Sequence, residues 1–265
     1  LNCEISWSFV TILFNHKLNK TGLNDLPKEL MPNSIKEAYA IQNELKILYL
    51  SLNNNYTLGK KVGCTNTLAQ KQLNINEPFY GNLFSKFSDV SGCKLKSSKF
   101  FKPYVESEIS LRLKDDINVN DAPFYFEDSV DLFDNIFPSI EIIDLRFEKN
   151  INEIGVKNLI SSNGASDYYI QGLNTFALDQ IDLNNHEVKL FFNDKIIANG
   201  NTNLVLKNPL NSAIWLLNKL ADIGEPMLKG QIITTGSCTG AIKAEINTLI
   251  KADFGILGVV EFEYI

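Results

Sequence analysis

The stretch that decides the fold of this chain spans positions 102 to 113 and reads Lys102-Pro103-Tyr104-Val105-Glu106-Ser107-Glu108-Ile109-Ser110-Leu111-Arg112-Leu113. Mostly apolar residues occupy the odd positions from 105 onward and polar residues the even ones, and this period of two predicts a β-strand. Glu106 and Glu108 then point the same way, roughly 7 Å apart at the rise of a strand. Like charges at that separation need a cation, a shared proton or open water. A hard divalent ion such as Mg²⁺ or Mn²⁺ takes oxygen ligands of this kind.

A third carboxylate, Glu141, lies in an apolar segment that also has the character of a strand. Ile140 and Ile142 flank it, and an unpaired charge buried between them would be costly. Three carboxylates on two strands can form one face of an octahedral metal site, with water and substrate completing it. The spacing equally allows Glu106 and Glu108 to lie on a solvated face while Glu141 pairs with an arginine.

The patterns around these strands indicate a helical N-terminal part followed by a mostly β body. Residues 5–18 form an amphipathic pattern, and a second helix is expected from Ser34, where Ser34 and Glu37 fit a capping box. Further predicted helices cover 67–73, 128–136 and 208–220, with loops at 21–33 and 76–82; predicted strands cover 57–64, 103–113, 138–147, 168–170, a hairpin at 187–198, 231–235, 248–253 and 258–264. Because strands and helices do not alternate regularly, the fold class is α+β. We expect residues 1–56 to form the helical part and 57–265 the β body, acting as one functional unit.

Bulk composition narrows the possible partners. The 265 residues carry a net charge of -6, and without a basic cluster nucleic acid is not an expected partner. The apolar runs are too short to span a bilayer. The four cysteines are scattered without paired spacing, which favours neither zinc nor disulfides and is typical of the cytoplasm. Two histidines exclude a histidine-rich zinc site.

An ordered set of short segments resembles the hydratase and decarboxylase branch of the fumarylacetoacetate hydrolase superfamily. The segments are Glu37-Ala38-Tyr39-Ala40-Ile41-Gln42, Gly59-Lys60-Lys61-Val62-Gly63, Gln70-Lys71-Gln72-Leu73, Glu106-Ser107-Glu108, Glu141-Ile142-Ile143-Asp144-Leu145-Arg146, Asn208-Pro209-Leu210 with Trp215-Leu216, and Gly230-Gln231-Ile232-Ile233-Thr234-Thr235-Gly236. The resemblance covers nearly the whole chain. It implies a mixed β-roll of the kind found in the C-terminal domain of fumarylacetoacetate hydrolase, preceded by helices, and a homo-oligomer.

The same resemblance implies roles for individual residues. It makes Glu106, Glu108 and Glu141 the ligands of Mg²⁺ or Mn²⁺, and Lys61 the active-site lysine. An ammonium there could neutralise a substrate carboxylate or enolate, and strand alternation then predicts that Lys60 points outward. The residues alone, without the resemblance, favour solvated surface positions for both lysines.

Two loops depart from the pattern of the branch and leave the proton-transfer group open. The family loop that usually reads Asp-Asn-Ala-Ser is here Ser162-Asn163-Gly164-Ala165, and the family's Pro-Asp-Phe-Gly is here Pro78-Phe79-Tyr80-Gly81, preceded by Glu77. Glu77 and Ser162 are the candidate acid-base groups beside Lys61. Lys61, Ser162, Asn163 and Thr235 are the candidate substrate contacts.

We therefore expect a metal-dependent lyase that adds water to a 2-hydroxy-2,4-dienoate and releases a 4-hydroxy-2-oxo acid. Decarboxylation of a 2-oxo-enedioate such as 4-oxalocrotonate is the first alternative, since the same ion can serve as electron sink. Acylpyruvate hydrolysis comes next, although His16 and His186 do not fit the hydrolase motif. A non-catalytic binder of 2-oxo acids is the remaining alternative.

Overall fold

Two mixed β-sheets with helices around them make up the protein. The computed structural model describes residues 3–24 and 26–265, with side chains from Trp7 onward; Asp25, within the loop predicted at 21–33, lies outside the described residues. The helices are α1 (Cys3–Asn19), α2 (Ile35–Leu50), α3 (Thr67–Leu73), α4 (Ser129–Leu132), α5 (Ile151–Ser161) and α6 (Pro209–Ala221). The strands are β1 (Thr57–Gly63), β2 (Phe79–Phe84), β3 (Ser88–Val90), β4 (Cys93–Leu95), β5 (Pro103–Leu113), β6 (Phe133–Asp144), β7 (Ser166–Gln171), β8 (Glu187–Phe192), β9 (Lys195–Asn201), β10 (Ile232–Ser237), β11 (Ile242–Lys243), β12 (Thr248–Asp253) and β13 (Val259–Tyr264).

The larger sheet is curved into a roll. Its strand order is β2-β1-β10-β5-β6-β7-β3, with β11 paired to β5, and the smaller sheet has the order β4-β13-β12-β8-β9. The larger sheet curls so far that β2, at one end of the order, also contacts β7 near the other end. Between the two sheets lies an apolar core that includes Val105, Ile109, Leu190 and Ile250. The predicted α+β class and mixed β-roll are confirmed.

The long antiparallel pair of β5 and β6 sets the geometry of the site. β5 has the bounds that its alternation predicts, and its register places Glu106 opposite Glu141. The helix predicted over 128–136 is wrong beyond Leu132, because β6 begins at Phe133. Phe133 and Ile136 are buried as strand residues against β5, so tertiary pairing overrides the short helical pattern.

A loop was expected at 76–82, and this expectation is wrong in its second half, where the chain forms β2. All residues of β2 are buried, and it pairs antiparallel with β1. Pro78 lies just before the strand, and Gly81 lies within it against the backbone of Asn163. The glycine permits this close approach of two backbone segments and is not a turn signal here.

The N-terminal helices pack on the roll through a second apolar cluster. Ser34 caps α2 by accepting from the Glu37 N–H, as the predicted capping box requires, and the Glu37 carboxylate accepts from the N–H of Asn33, the residue before the cap. The cluster joins residues of α1 and α2 to Phe84 and Phe147. The division at residue 56 remains a prediction.

Candidate metal centre

Three glutamates from two neighbouring strands meet inside the roll. Glu106 and Glu108 on β5 and Glu141 on β6 each place a carboxylate oxygen within 4.8 Å of the others. Glu108 accepts a hydrogen bond from the Gly236 N–H at 3.1 Å. Glu141 is fully buried, and its Oε1 has no hydrogen-bond partner among the described residues. An orphaned carboxylate oxygen beside two other carboxylates is the arrangement that a hard cation satisfies.

Electrostatics of the cluster favour the same conclusion. Burial raises the pKa of Glu106 to about 7, although Lys61 opposes the rise and Glu141 adds to it. Burial raises the pKa of Glu108 well above its usual range, and repulsion from Glu141 and Glu106 raises it further. Keeping these carboxylates ionised without a cation is therefore unfavourable, and a divalent ion would relieve both effects. The donor set of three oxygens fits Mg²⁺ or Mn²⁺.

Lys61 lies beside the glutamates on the same inner face. Its Nζ donates to Glu141 Oε2 at 3.1 Å, and the residue is 2% exposed. Burial acts to lower the pKa of Lys61, but attraction to Glu141, Glu106 and Glu108 outweighs it, and the pKa lies above its ordinary value. Lys61 is therefore a charged ammonium in a water-poor site.

The side chain of Lys61 is enclosed by an aromatic ring and two glycines. Its Nζ lies 5.7 Å from the centre of the Phe79 ring. A Cβ on Gly63 would lie 2.6 Å from that ring, and a Cβ on Gly164 would lie 3.2 Å from Lys61 Cε. A side chain at position 63 would crowd the Phe79 ring, and one at position 164 would crowd both the ring and the lysine stem. Glycines in a loop and at a strand end carry little sequence signal for such a role.

Lys60 departs from the prediction that it points outward. It does face away from Lys61, but it is only 3% exposed. Its Nζ bonds to Asn82 Oδ1 at 2.9 Å and to Glu225 Oε1 at 2.9 Å. Strand alternation correctly predicts that Lys60 and Lys61 lie on opposite faces of β1. The expected exposure of Lys60 to solvent is wrong, because residues of α2 and of the segment after α6 cover that face.

The remaining sequence candidates have their side chains engaged elsewhere. Glu77 is exposed and pairs with Lys219 at 2.9 Å. Ser162 Oγ donates to Leu159 O at 3.0 Å, and Thr235 Oγ1 donates to Ile109 O at 2.8 Å. Both amide atoms of Asn163 bond to the backbone of Asn82. Their catalytic and binding roles remain predictions, while the three glutamates and Lys61 are brought together.

A set of hydroxyls beside the carboxylates was not anticipated. Ser110 Oγ lies 2.7 Å from Ser139 Oγ and accepts from Tyr169 OH at 3.1 Å. Ser139 Oγ in turn donates to the Glu108 carbonyl at 3.2 Å. These bonds tie β5, β6 and β7 together behind the cluster. The polar face of β5 already contained Ser110, which was the available signal.

Comparison with known proteins shows which enzymes this chain is similar to in sequence and structure. The 2-keto-4-pentenoate hydratase 1 of Dechloromonas aromatica is 30% identical over 201 residues, which cover 76% of this chain and 74% of that protein. The 4-oxalocrotonate decarboxylase of Pseudomonas putida is 28% identical over 270 residues, covering 100% of this chain and 98% of that protein. The solved structure of 4-oxalocrotonate decarboxylase from Pseudomonas putida G7, complexed with magnesium and adipate, has a TM-score of 0.92 and 27% identity, covering 100% of this chain and 99% of that one. No protein-family profile matches the chain.

Fold, site and relatives together define a divalent-metal-dependent lyase of the hydratase type. The chain belongs to the hydratase and decarboxylase branch of the fumarylacetoacetate hydrolase superfamily. Within the described part of the chain, no helix has both the length and the apolar character needed to cross a membrane.

Proposed function

We propose that this protein hydrates a 2-hydroxy-2,4-dienoate to a 4-hydroxy-2-oxo acid. The observation that carries the proposal is the buried cluster of Glu106, Glu108 and Glu141 with Lys61 bonded to it. The hydratase relatives support the reaction class. Such a reaction needs positive charge at a 2-oxo carboxylate, which the Lys61 ammonium and a divalent ion held by the three glutamates would provide.

The three glutamates would hold Mg²⁺ or Mn²⁺ in this reaction. When bound, the ion withdraws electron density from the 2-oxygen and the carboxylate of the substrate. Lys61 then donates a hydrogen bond to the substrate carboxylate or to the developing enolate oxygen. Phe79 covers Lys61 on one side, so the ammonium acts where little water competes.

The overall reaction conserves atoms through two proton movements. The dienol loses its hydroxyl proton and gains a proton at the terminal carbon, which gives a 2-oxo-3-enoate. Water then adds across the remaining double bond, with hydroxyl on C4 and hydrogen on C3. Glu77 and Ser162 remain the proposed acid-base groups, and each would have to leave its present hydrogen bond to act.

Decarboxylation of a 2-oxo-enedioate is the second candidate, and the position of Glu77 favours it. The Glu77 carboxylate lies in an exposed pair with Lys219. Loss of carbon dioxide needs an electron sink but no group that activates water. The decarboxylase relative aligned over the full length of this chain supports the same candidate.

Acylpyruvate hydrolysis receives less support. His186 Nε2 lies 2.6 Å from the Phe254 carbonyl, and His16 Nδ1 bonds to Thr21 Oγ1. Neither contact pairs a histidine with a glutamate.

We also propose that several copies of this chain assemble in the cytoplasm. The resemblance supports the assembly, and the scattered cysteines support the compartment. Light scattering on the purified protein tests the assembly.

A single assay separates the candidates. Purified protein with Mg²⁺ or Mn²⁺ is given 2-hydroxypenta-2,4-dienoate or 4-oxalocrotonate, and dienol absorbance and carbon dioxide are followed. Dienol loss from the first substrate that stops with chelator supports the hydratase. Carbon dioxide release from the second, without hydration of the first, moves the assignment to the decarboxylase. Metal binding without turnover of either substrate, or of an acylpyruvate, leaves the non-catalytic binder.

A further inference from the structure

A left-handed turn lies directly against the side chain of Lys61. Three consecutive residues, Asn163, Gly164 and Ala165, have φ angles of 61°, 62° and 60°. Asparagine tolerates this conformation and glycine adopts it freely, but alanine does so at a cost of about 1 kcal/mol or more. All three residues are buried. The surrounding structure must therefore hold the turn in place.

Asn163 supplies the attachment through its side-chain amide. Its Oδ1 accepts from the Asn82 N–H at 2.7 Å, and its Nδ2 donates to the Asn82 carbonyl at 2.9 Å. These two bonds pair the amide with the Asn82 backbone as a neighbouring strand would, and Asn163 Oδ1 also accepts from Asn82 Nδ2 at 3.2 Å. Asn163 is 3% exposed, so water does not compete for these bonds.

Asn82 is itself fixed by buried side chains of β1 and α2. Its Oδ1 accepts from Lys60 Nζ at 2.9 Å, and its Nδ2 lies 3.3 Å from Gln42 Oε1. The partner of the Asn163 amide is therefore held by buried groups of β1 and α2. A turn attached to such a partner keeps its position relative to β1.

The turn forms one wall of the space that Lys61 occupies. A Cβ on Gly164 would lie 3.2 Å from Lys61 Cε and 2.9 Å from the Phe79 ring. A side chain at position 164 would therefore crowd the lysine stem, and the bare backbone of Gly164 leaves room for that stem. Movement of the turn away from β2 would open this space and release the ammonium from its place 3.1 Å from Glu141 Oε2.

We propose that Asn163 is a positioning residue, which holds the turn of residues 163–165 against Lys61 and thereby fixes the Lys61 ammonium for the substrate. This differs from the direct substrate contact expected of Asn163 from the sequence. The kinetic consequence rests on the proposed function; the structural consequence does not.

The test compares three variants. N163A removes all three hydrogen bonds between the Asn163 amide and Asn82, and N163D keeps the shape but turns a carboxylate oxygen toward the Asn82 carbonyl. N208A is the control, because Asn208 is another buried asparagine that caps α6 by accepting from the Leu210 N–H. A misplacement near 1 Å can cost about 100-fold in rate, so we expect kcat to fall at least about 10-fold in N163A and N163D but not in N208A. Mg²⁺ affinity without substrate should not fall, since the three glutamates lie on β5 and β6.

Crystal structures of N163A and N163D provide the readout that does not depend on activity. We expect the Lys61 ammonium to leave Glu141 in both. A Lys61 that stays in place, or a kcat per folded molecule no lower than that of N208A at a comparable loss of Tm, would overturn the proposal. If wild-type protein turns over none of the substrates, the proposed function fails, and the position of Lys61 in the variants still decides this inference. If N163A does not fold, N163D alone decides.

Discussion

Lys60 and Lys61 are consecutive buried residues whose ammonium groups bind different glutamates on opposite faces of β1. Lys61 Nζ lies 3.1 Å from Glu141 Oε2 inside the roll, and Lys60 Nζ lies 2.9 Å from Glu225 Oε1 on the other face. The two pairs have different consequences. The inner pair belongs to the candidate metal centre, while the outer pair connects β1 to Lys46 of α2 through Glu225.

Replacing both Glu106 and Glu108 by glutamine should abolish metal binding without unfolding the protein. The change removes two of three carboxylates while preserving shape, so Mg²⁺ titrated calorimetrically should give no heat of binding and metal-dependent turnover should vanish. The metal-free variant should melt no lower than metal-free wild type, since burial and repulsion disfavour these carboxylates when ionised. Retained Mg²⁺ binding would refute the ligand assignment.

Replacing Lys61 by methionine should separate catalysis from metal binding. Loss of one donor to a developing oxyanion costs about 100- to 1,000-fold, so kcat/KM should fall by that order. Mg²⁺ should bind at least as tightly, because Lys61 no longer competes for Glu141. K61R keeps the charge but places a larger, planar group beside Phe79 and Gly164, so it should also lose activity. Weakened Mg²⁺ binding in K61M would contradict this account.

Replacing Lys60 by methionine should change the pH dependence of stability. Burial lowers the pKa of Lys60 to about 8, against attraction to Glu225. Between pH 8 and 10.5 the unfolded chain holds a proton that the folded protein has lost, so wild-type stability should rise with pH there relative to K60M, by at most about 3 kcal/mol. Urea unfolding at pH 7.5 and pH 10 measures the difference. Parallel pH profiles for the two proteins would disprove it.

Substituting Gly63 by alanine should crowd Phe79 and disturb Lys61. The added Cβ would lie 2.6 Å from the Phe79 ring and 3.4 Å from Lys61 Nζ. Overpacking of this kind costs about 1–3 kcal/mol, and F79L in the same chain should recover part of the loss. Thermal melts of wild type, both single variants and the double variant complete a double-mutant cycle. Strictly additive effects would mean that the two positions do not compete for space.

Glu77 provides a direct check on one sequence-based prediction. In its exposed pair with Lys219, E77Q should lower stability by less than about 1 kcal/mol. If Glu77 acts only at the surface, kcat in the dienoate assay should match wild type, with K219Q as the matched control. A large fall in kcat for E77Q alone would restore Glu77 as the proton-transfer group and would require the loop before β2 to move.

The sequence was sufficient for the parts of the site that rest on local periodicity. Alternation along β5 predicts that Glu106 and Glu108 share a face, and the register with β6 then brings Glu141 opposite Glu106. The general class of the fold follows from the order of helical and strand patterns. Local sequence patterns were less reliable where tertiary packing determines the secondary structure. The helix expected over 128–136, for example, ends before Phe133, where β6 begins.

What the sequence could not supply comes from contacts between distant segments. The burial of Lys60 depends on Glu225, which lies more than 160 positions further along the chain. The attachment of Asn163 to Asn82 spans 81 positions. Neither contact leaves a periodic trace, because a single side chain bonding to a backbone or to one partner needs no repeat.

The bulge near the start of β1 has a consequence for how chain length can vary. The register between β1 and β2 shifts between Thr57 and Gly59, just before the two lysines. A single residue inserted between Gly59 and Lys60 would exchange the faces of the two lysines. Lys60 would then lie beside the three glutamates inside the roll, and Lys61 would face Glu225 on the other side of β1. Length changes should therefore be tolerated in the turn before position 57 and be excluded over the next four residues, which can be checked by scanning insertions across this segment.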